Sequence, residues 1–491
     1  MGIKRLPSLL ALSMVLSLIS LPASATEAWV PSYPAQSDGS FGLEMGETDL
    51  VPASVVEGSW WDSSNDRFSN KQPSGNKICY TIGKFPCVIS SRTHIHGNIL
   101  APACKDSSTN CIKSIFAIVD ETKVEGRFLG YQNDLKFTDL SKLGMVGTAR
   151  TISLWDIPGA THTGGTSTYA VGVGYGFDIE EGRFTPRNFK AVIYPYVETP
   201  MQWANEVRFF QGKNEDGKPW VNFGGPPREC AWSKAGVCGK LYEFDESLEI
   251  GLELKFENYF TNWFRARLTN PDVQVKPLTS RSKLITVSGR PVRVPIFQYV
   301  VRAKDLPTKT RQTMIRDGMR MSGFGGISND RDLSFFLVDG YRKLVGDQAA
   351  GTITAWTFSN LNVLDNHPCT SRRQEVIGMV TTNAMVFQPY PPAMANGFLN
   401  YEVGGMHYLP GGQELATGTY DLLMRSSVAR CFYNLGTIPI SAKISVVNEK
   451  GRKEFATTTV SEKKGWLKLS ASGFTFSKKT IKVKITKAKS R

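Results

Sequence analysis

No apolar run in this chain is long enough to cross a bilayer. The best of them, Leu9 to Leu21, has about 13 residues where a spanning helix needs roughly 20. Histidine is scarce, five in 491 residues, and the motifs that usually carry chemistry are missing: there is no H-E-x-x-H, no G-x-S-x-G elbow and no Walker loop. The glycines of Gly172-Val173-Gly174-Tyr175-Gly176 are followed by no helical pattern, whereas a phosphate cradle needs a helix N-terminus behind it. They read instead as strand glycines that permit bulges or close packing. These gaps argue against the common metalloprotease, serine hydrolase and nucleotide-binding classes, and no cofactor is expected.

What is present begins with a leader. Lys4 and Arg5 precede the apolar run, and Ala23-Ser24-Ala25 supplies a small-residue cleavage site, the pattern of a secretory signal peptide over residues 1–25. Cleavage near Ala25 would release a secreted or cell-surface-associated protein that starts near Thr26. No cysteine follows the cleavage site to carry a lipid, and the lysine-rich C-terminus lacks a hydrophobic tail, so no membrane anchor is expected.

An even number of cysteines, eight, in an oxidising compartment reads as a disulfide set. Proximity pairs Cys79 with Cys87, Cys104 with Cys111 and Cys230 with Cys238, leaving Cys369 and Cys431 for a longer bridge. Proximity alone selects this set from the 105 pairings that eight cysteines allow. The spacings are longer than the C-x₂₋₄-C of zinc ribbons.

The formal net charge of +14 is unevenly placed. From Ser441 to Arg491, fourteen Lys and Arg stand against Glu449, Glu454 and Glu462, an excess of +11. With Lys4 and Arg5 in the leader, residues 26–440 carry only +1. Two readings of the terminal lysines compete: salt-sensitive attachment to an anionic envelope polymer, and lysines that keep an exposed edge strand soluble and unpaired. Export and the lack of any nucleic-acid motif argue against DNA or RNA as partner.

Most of the chain alternates apolar and polar residues between Gly, Pro, Asn and Asp turns, which predicts an all-β fold of mainly antiparallel sandwiches. Leu248 to Phe256 is a clear half-buried strand; Ile152 to Trp155, Tyr169 to Phe177, Ala191 to Val197 and Pro295 to Val301 recur in the same style. Val207 to Phe210 and Trp220 to Phe223 flank Asp216-Gly217 and predict a hairpin. The exception is a small helical insert near 306–346. Leu333, Phe336, Leu337, Tyr341, Leu344 and Val345 recur at helical spacing with Asn329 or Asp330 as cap, a polar helix spans about Lys309 to Met319, and Gly323-Phe324-Gly325-Gly326 separates the two. Residues 26–350 are expected to form a β-rich body, its first part up to about Cys111 irregular, and residues 351–491 a C-terminal β-sandwich-like module.

In that module, Pro439 to Val447, Phe455 to Val460, Trp466 to Leu469 and Ile481 to Ile485 predict a meander of short strands with one apolar face. The stretches Val380-Thr381-Thr382-Asn383-Ala384, Gly418 to Ser426, Val428-Ala429-Arg430-Cys431 and Gly465-Trp466-Leu467-Lys468-Leu469 resemble a β-rich terminal module recurring in exported actinobacterial proteins. The resemblance covers roughly the last 140 residues. It implies an exported, uncharacterised module and carries no catalytic residue with it. The body resembles no family.

Candidate chemistry is sparse. His94 and His96 form H-x-H, whose side chains share one strand face and suit two metal ligands, but no third ligand is marked. His162, His367 and His407 are joined to them by no motif. A glycosidase needs two carboxylates about 5 to 9.5 Å apart. Glu249 and Glu253 share a face but lie about 13 Å apart along a strand; Asp178 and Glu180 meet the distance only if the strand runs through them, and Glu181-Gly182 favours a turn there. Asp62, Asn65 and Asp66, or Asn329, Asp330 and Asp332, offer oxygens for Ca²⁺ without EF-hand spacing. Trp60-Trp61 offers one ring as a sugar-stacking platform.

The sequence thus predicts an exported, non-catalytic cell-surface or extracellular binding or structural protein. Lys468, Lys478, Lys479, Lys482, Lys484 and Lys487 are the expected contacts to an anionic cell-envelope polymer or carbohydrate. The alternative is a secreted polysaccharide-active hydrolase with its carboxylates in the body.

Overall fold

The computed structural model describes residues 27–28, 40–46, 59–60, 77–78, 94–105, 109–132, 152–180, 183–202, 209–213, 219–223, 229–234, 236–257, 262–317, 323–328, 331–361, 368–370, 375–436 and 440–487. The leader, Cys79, Cys87, Trp61, the Asp62 group, Asn329, Asp330 and His367 lie outside them. The described chain is all-β, with three α-helices among its residues.

Its spine is a long sheet whose strands run in the order Thr457–Lys463, Trp466–Thr475, Thr417–Arg425, Val376–Thr382, Asn262–Arg267, Gly351–Leu361, Arg183–Pro200, Thr168–Glu180, Ser153–Asp156 and Arg127–Tyr131. The pairing is antiparallel along this path except between Asn262–Arg267 and Val376–Thr382. The boundary expected at residue 351 falls where hydrogen bonding is continuous. Gly351–Leu361 pairs with Arg183–Pro200, Asn262–Arg267 and Val292–Ile296, so the last 140 or so residues share a sheet with what precedes them.

Strands buried on both sides read as near-continuous apolar runs, and Val376–Thr382 and Thr417–Arg425 are such strands. Their alternate residues feed two different cores. Leu423, Met379, Phe264 and Ala266 join Trp356 and Phe358 in one core, which is closed by the sheet Thr269–Pro277, Ser282–Arg290, Glu249–Glu257, Cys111–Val119 and Thr122–Glu125. Tyr420, Leu422, Met424 and Trp263 face the other way into a second core, shared with Leu399, Tyr401, Val403, Ile444, Val446, Ile481, Val483 and Ile485. The long sheet is therefore the middle of three layers over this stretch. Trp356 ties the first two: fully buried, its indole N–H donates to the carbonyls of Ile250 and Gly289, both at 3.1 Å.

Within the long sheet, a bulky side chain on one strand is accommodated by glycine on the next. Gly378 lies between Trp263 and Leu423, and a methyl group there would sit 2.4 Å from the indole and 2.5 Å from the Leu423 carbonyl oxygen. A backbone carbonyl cannot swing aside, so Gly378→Ala is expected to cost about 1–3 kcal/mol by overpacking, read as a lower urea midpoint.

The helical insert forms as α1, Thr308–Arg316, and α2, Asp332–Arg342. Met314, Leu337, Val338 and Tyr341 bury against Phe297 and Leu43. Two details differ from expectation. The residue before α2 is Arg331, whose side chain makes no cap, and the glycine-rich separator is itself a strand, Gly323–Ser328, parallel to Ser40–Gly46. Glycine's lack of a side chain lets a segment without apolar alternation still form a ladder. Pro295 to Val301 is split between two strands, Val292–Ile296 and Gln298–Arg302, which belong to different sheets.

The C-terminal strands do not form a meander. Ile440–Asn448 pairs with Lys479–Lys487, which also pairs with Phe398–Gly404; the intervening Thr457–Lys463 and Trp466–Thr475 hairpin joins the long sheet instead. Trp466–Thr475 buries Leu467, Leu469 and Ala471 in the second core against Ile440–Asn448 and Lys479–Lys487, so the chain crosses between two facing sheets, and Thr457–Lys463, exposed throughout, pairs with it at the end of the long sheet. Three of the expected disulfides are formed, Cys104–Cys111, Cys230–Cys238 and Cys369–Cys431, the last tying the segment at 368–370 to α3, Ser426–Tyr433. No described helix is long and apolar enough to cross a membrane.

Candidate basic binding face

Lys479–Lys487 lies in the middle of its sheet, between Phe398–Gly404 and Ile440–Asn448. The edge-protecting reading of its lysines is therefore corrected: a strand paired on both sides has no edge to protect. Its period-two pattern has a different consequence. Ile481, Val483 and Ile485 bury into the second core, and Lys482 and Lys484 stand on the outer face.

Neighbouring strands extend this face. Lys482 lies opposite Asn400 on one side and Ser445 on the other; Lys484 lies opposite Lys443 and has its ammonium 5.6 Å from the ring of Phe398. Thr480 and Glu402 complete the row beyond, and Lys453 is opposite Val447. Lys443, Lys453 and Lys484 are exposed, while Lys482, Asn400 and Phe398 are half-buried.

The acids that might balance these charges are engaged elsewhere. Glu402 pairs with Lys478 at 3.3 Å, Glu454 with Lys479 at 2.7 Å and Glu462 with Arg430 at 2.8 Å. Among the described residues no carboxylate is paired with Lys443, Lys482 or Lys484. Like charges directly opposed across a ladder destabilise it by up to about 1 kcal/mol, and Lys443 and Lys484 are such a pair. The outer face is a cationic platform with hydroxyl and amide groups between its charges and an aromatic ring at one side.

The other expected contacts separate from this platform. Lys479 points inward and is only 4% exposed against Glu454. Lys487 is paired with Ile440 at the end of the ladder. Lys478 lies over Phe335 as well as beside Glu402. Lys468 belongs to the long sheet, where its charge favours the ionised form of buried Asp421. Lys443 is the residue that sequence reasoning missed. Its signal was available: it alternates with Ala442 and Ile444 as Lys484 does with Val483 and Ile485.

Glu249 and Glu253, considered for hydrolysis, have other partners. Glu249 accepts from Ser288 at 2.8 Å, and Glu253 accepts from Ser114 at 3.2 Å and Lys123 at 2.9 Å. Asp178 and Glu180 do not sit in a turn: the strand Thr168–Glu180 runs through both and reverses beyond them. Burial raises the carboxyls of Asp421 and Glu243 above their ordinary range. Both are satisfied internally, Asp421 by the hydroxyls of Ser470 and Thr381, and Glu243 by the Thr354 N–H at 2.7 Å.

His162 is buried in the body. Its Nδ1 accepts the Gly164 N–H at 3.1 Å, so Nε2 carries the proton and donates to the Thr168 carbonyl at 3.1 Å. Burial drives its pKa down to about 4. His407 contacts the Phe476 carbonyl through Nδ1 at 3.0 Å. His94 and His96 lie on the strand His94–Leu100, and Trp60 on Ser59–Trp60.

In comparison with known proteins, no protein-family model, no curated protein and no solved structure matches the chain.

Proposed function

We propose that this protein is an exported, non-catalytic binding protein that holds an anionic polymer of the cell envelope on the outer face of its C-terminal six-stranded sheet. The observation that carries the reading is the opposed pair Lys443 and Lys484 beside Lys482, without carboxylate partners among the described residues, on a sheet whose other face is a packed core. A polyanion laid across the strands offsets the repulsion these lysines suffer in its absence. Export is supported by the leader-like pattern of residues 1–25, by the resemblance of the terminal module to exported proteins, and by disulfides compatible with an extracellular protein.

The test uses the mature chain and a polyphosphodiester of the teichoic-acid type, with an uncharged polysaccharide as control. Binding to the polyanion at low salt is expected, weakening steeply as salt is added. Lys482→Gln with Lys484→Gln should weaken it roughly thirtyfold, from about 1 kcal/mol for each lysine held near an anionic surface. Equal binding to the neutral polymer, or none to the polyanion at low salt, would refute the assignment.

A further inference from the structure

The lysines of the C-terminal region leave unguarded the strand that would need them most. Thr457–Lys463 ends the long sheet, pairs with Trp466–Thr475 on one side, and among the described residues has no strand on the other. An end strand presents unpaired backbone N–H and C=O groups, and proteins protect such edges with lysines, prolines, bulges or short length. None of these blunts this edge. The strand is seven residues long, its ladder to Trp466–Thr475 runs without a register shift, and Thr457-Thr458-Thr459-Val460-Ser461 contains no proline and no charge. Glu462 and Lys463 at its end cancel, so a region with an excess of +11 offers a neutral strand at its rim. Every residue of the strand is exposed, Val460 included, and Phe455 just before it is 82% exposed. A large apolar ring so far into water is the informative kind of exposure.

We propose that this edge pairs with the same edge of a second copy, giving a two-fold dimer through Thr457–Lys463. The strand is self-complementary in the antiparallel register centred on Val460. That register sets Val460 against Val460 of the second copy, Thr459 against Ser461, Thr458 against Glu462 and Thr457 against Lys463. Thr–Ser pairs add cross-strand hydrogen bonds, and no like charges are opposed. Continued two residues beyond the strand, the same register brings exposed Phe455 beside the Lys464-Gly465 turn of the second copy, where an ammonium group and a ring attract. Pairing uses up both free edges, so assembly closes at two and does not run on into a fibre. Val460 lies opposite Leu469, on the face toward the second core. A two-fold axis normal to the sheet keeps that face of both copies on one side, so the two six-stranded sheets turn their basic faces the same way. The value of that joined face rests on the binding reading; the dimer itself does not.

The experiment takes the full mature chain with its disulfides intact and measures mass against concentration by sedimentation equilibrium at several salt concentrations. A contact between two strand edges buries less than about 1,200 Å², the range of weak complexes. A monomer–dimer equilibrium with a dissociation constant on the order of 10–100 μM is therefore expected. It should tighten as salt screens the repulsion between two basic copies, whereas binding to the polyanion weakens with salt, so the failure of one reading is distinct from the failure of the other. Val460→Lys opposes two ammonium groups on the axis and should raise the constant at least about tenfold. Thr458 tests the register by sign: Thr458→Lys, facing Glu462 of the second copy, should lower the constant, and Thr458→Glu should raise it. All three substitutions fall on exposed positions, and an unchanged urea midpoint verifies their folding. The dimer is refuted if the chain stays monomeric up to about 1 mM at moderate salt, if open-ended larger species form in its place, or if Val460→Lys associates as the wild type does. Effects of the same sign from the two Thr458 variants refute the pairing as well.

Discussion

Trp356→Ala is expected to remove close to 5 kcal/mol of unfolding free energy, the upper end of the roughly 3–5 kcal/mol found for large aromatic deletions in cores. The reason is its position. Trp356 is fully buried where the middle sheet meets the five-stranded one, against Phe358 at 5.9 Å between ring centroids. Deleting it opens a cavity between two layers and also orphans the carbonyls of Ile250 and Gly289. Trp356→Phe separates these contributions. It retains most of the apolar volume and loses the donor, and should cost about 1–3 kcal/mol for the unsatisfied buried groups. Urea unfolding followed by circular dichroism measures both variants. Equal losses for Ala and Phe would place the whole effect in the hydrogen bonds and contradict the cavity argument.

The second large effect is one of pH. In the unfolded chain His162 takes up its proton near 6.5, but in the fold it does so only near 4, because burial disfavours the charged ring. Between those values the unfolded state binds more protons than the native one. Stability is therefore full above about pH 6.5 and falls as the pH drops to about 4, below which this group costs nothing more. The interval corresponds to about 3 kcal/mol. Geometry agrees with the direction: protonating Nδ1 would turn an acceptor into a donor facing the Gly164 N–H. Urea midpoints recorded from pH 7 to 4 should slope downward on acidification, and the slope should flatten in His162→Asn by this amount. An identical slope in the variant would assign the acid sensitivity to other groups.

Much of the strand content was legible, because period two is a local signal. Leu248 to Phe256 emerged as Glu249–Glu257, and Val207 to Phe210 with Trp220 to Phe223 as the hairpin Phe209–Lys213 and Pro219–Phe223. Pairing was not legible, because it is decided by which apolar face finds which partner. Nothing in Thr457–Lys463 announces that it crosses to a different sheet from Ile440–Asn448. The same limit governs the sites. Lysine alternation in Lys479–Lys487 was visible as a pattern, but its place at the centre of a sheet, with Lys443 opposite Lys484, depends on a neighbour some forty residues away.

The central position of Lys479–Lys487 also bears on how the chain is made. Phe398–Gly404 and Ile440–Asn448 have no ladder with each other; both wait for this strand, which is read from the message after them. Until it arrives they present unpaired backbone and apolar side chains that native packing would hide. A polypeptide that cannot close this sheet while synthesis continues must keep two strands waiting, and the late strand is the stitch that closes it.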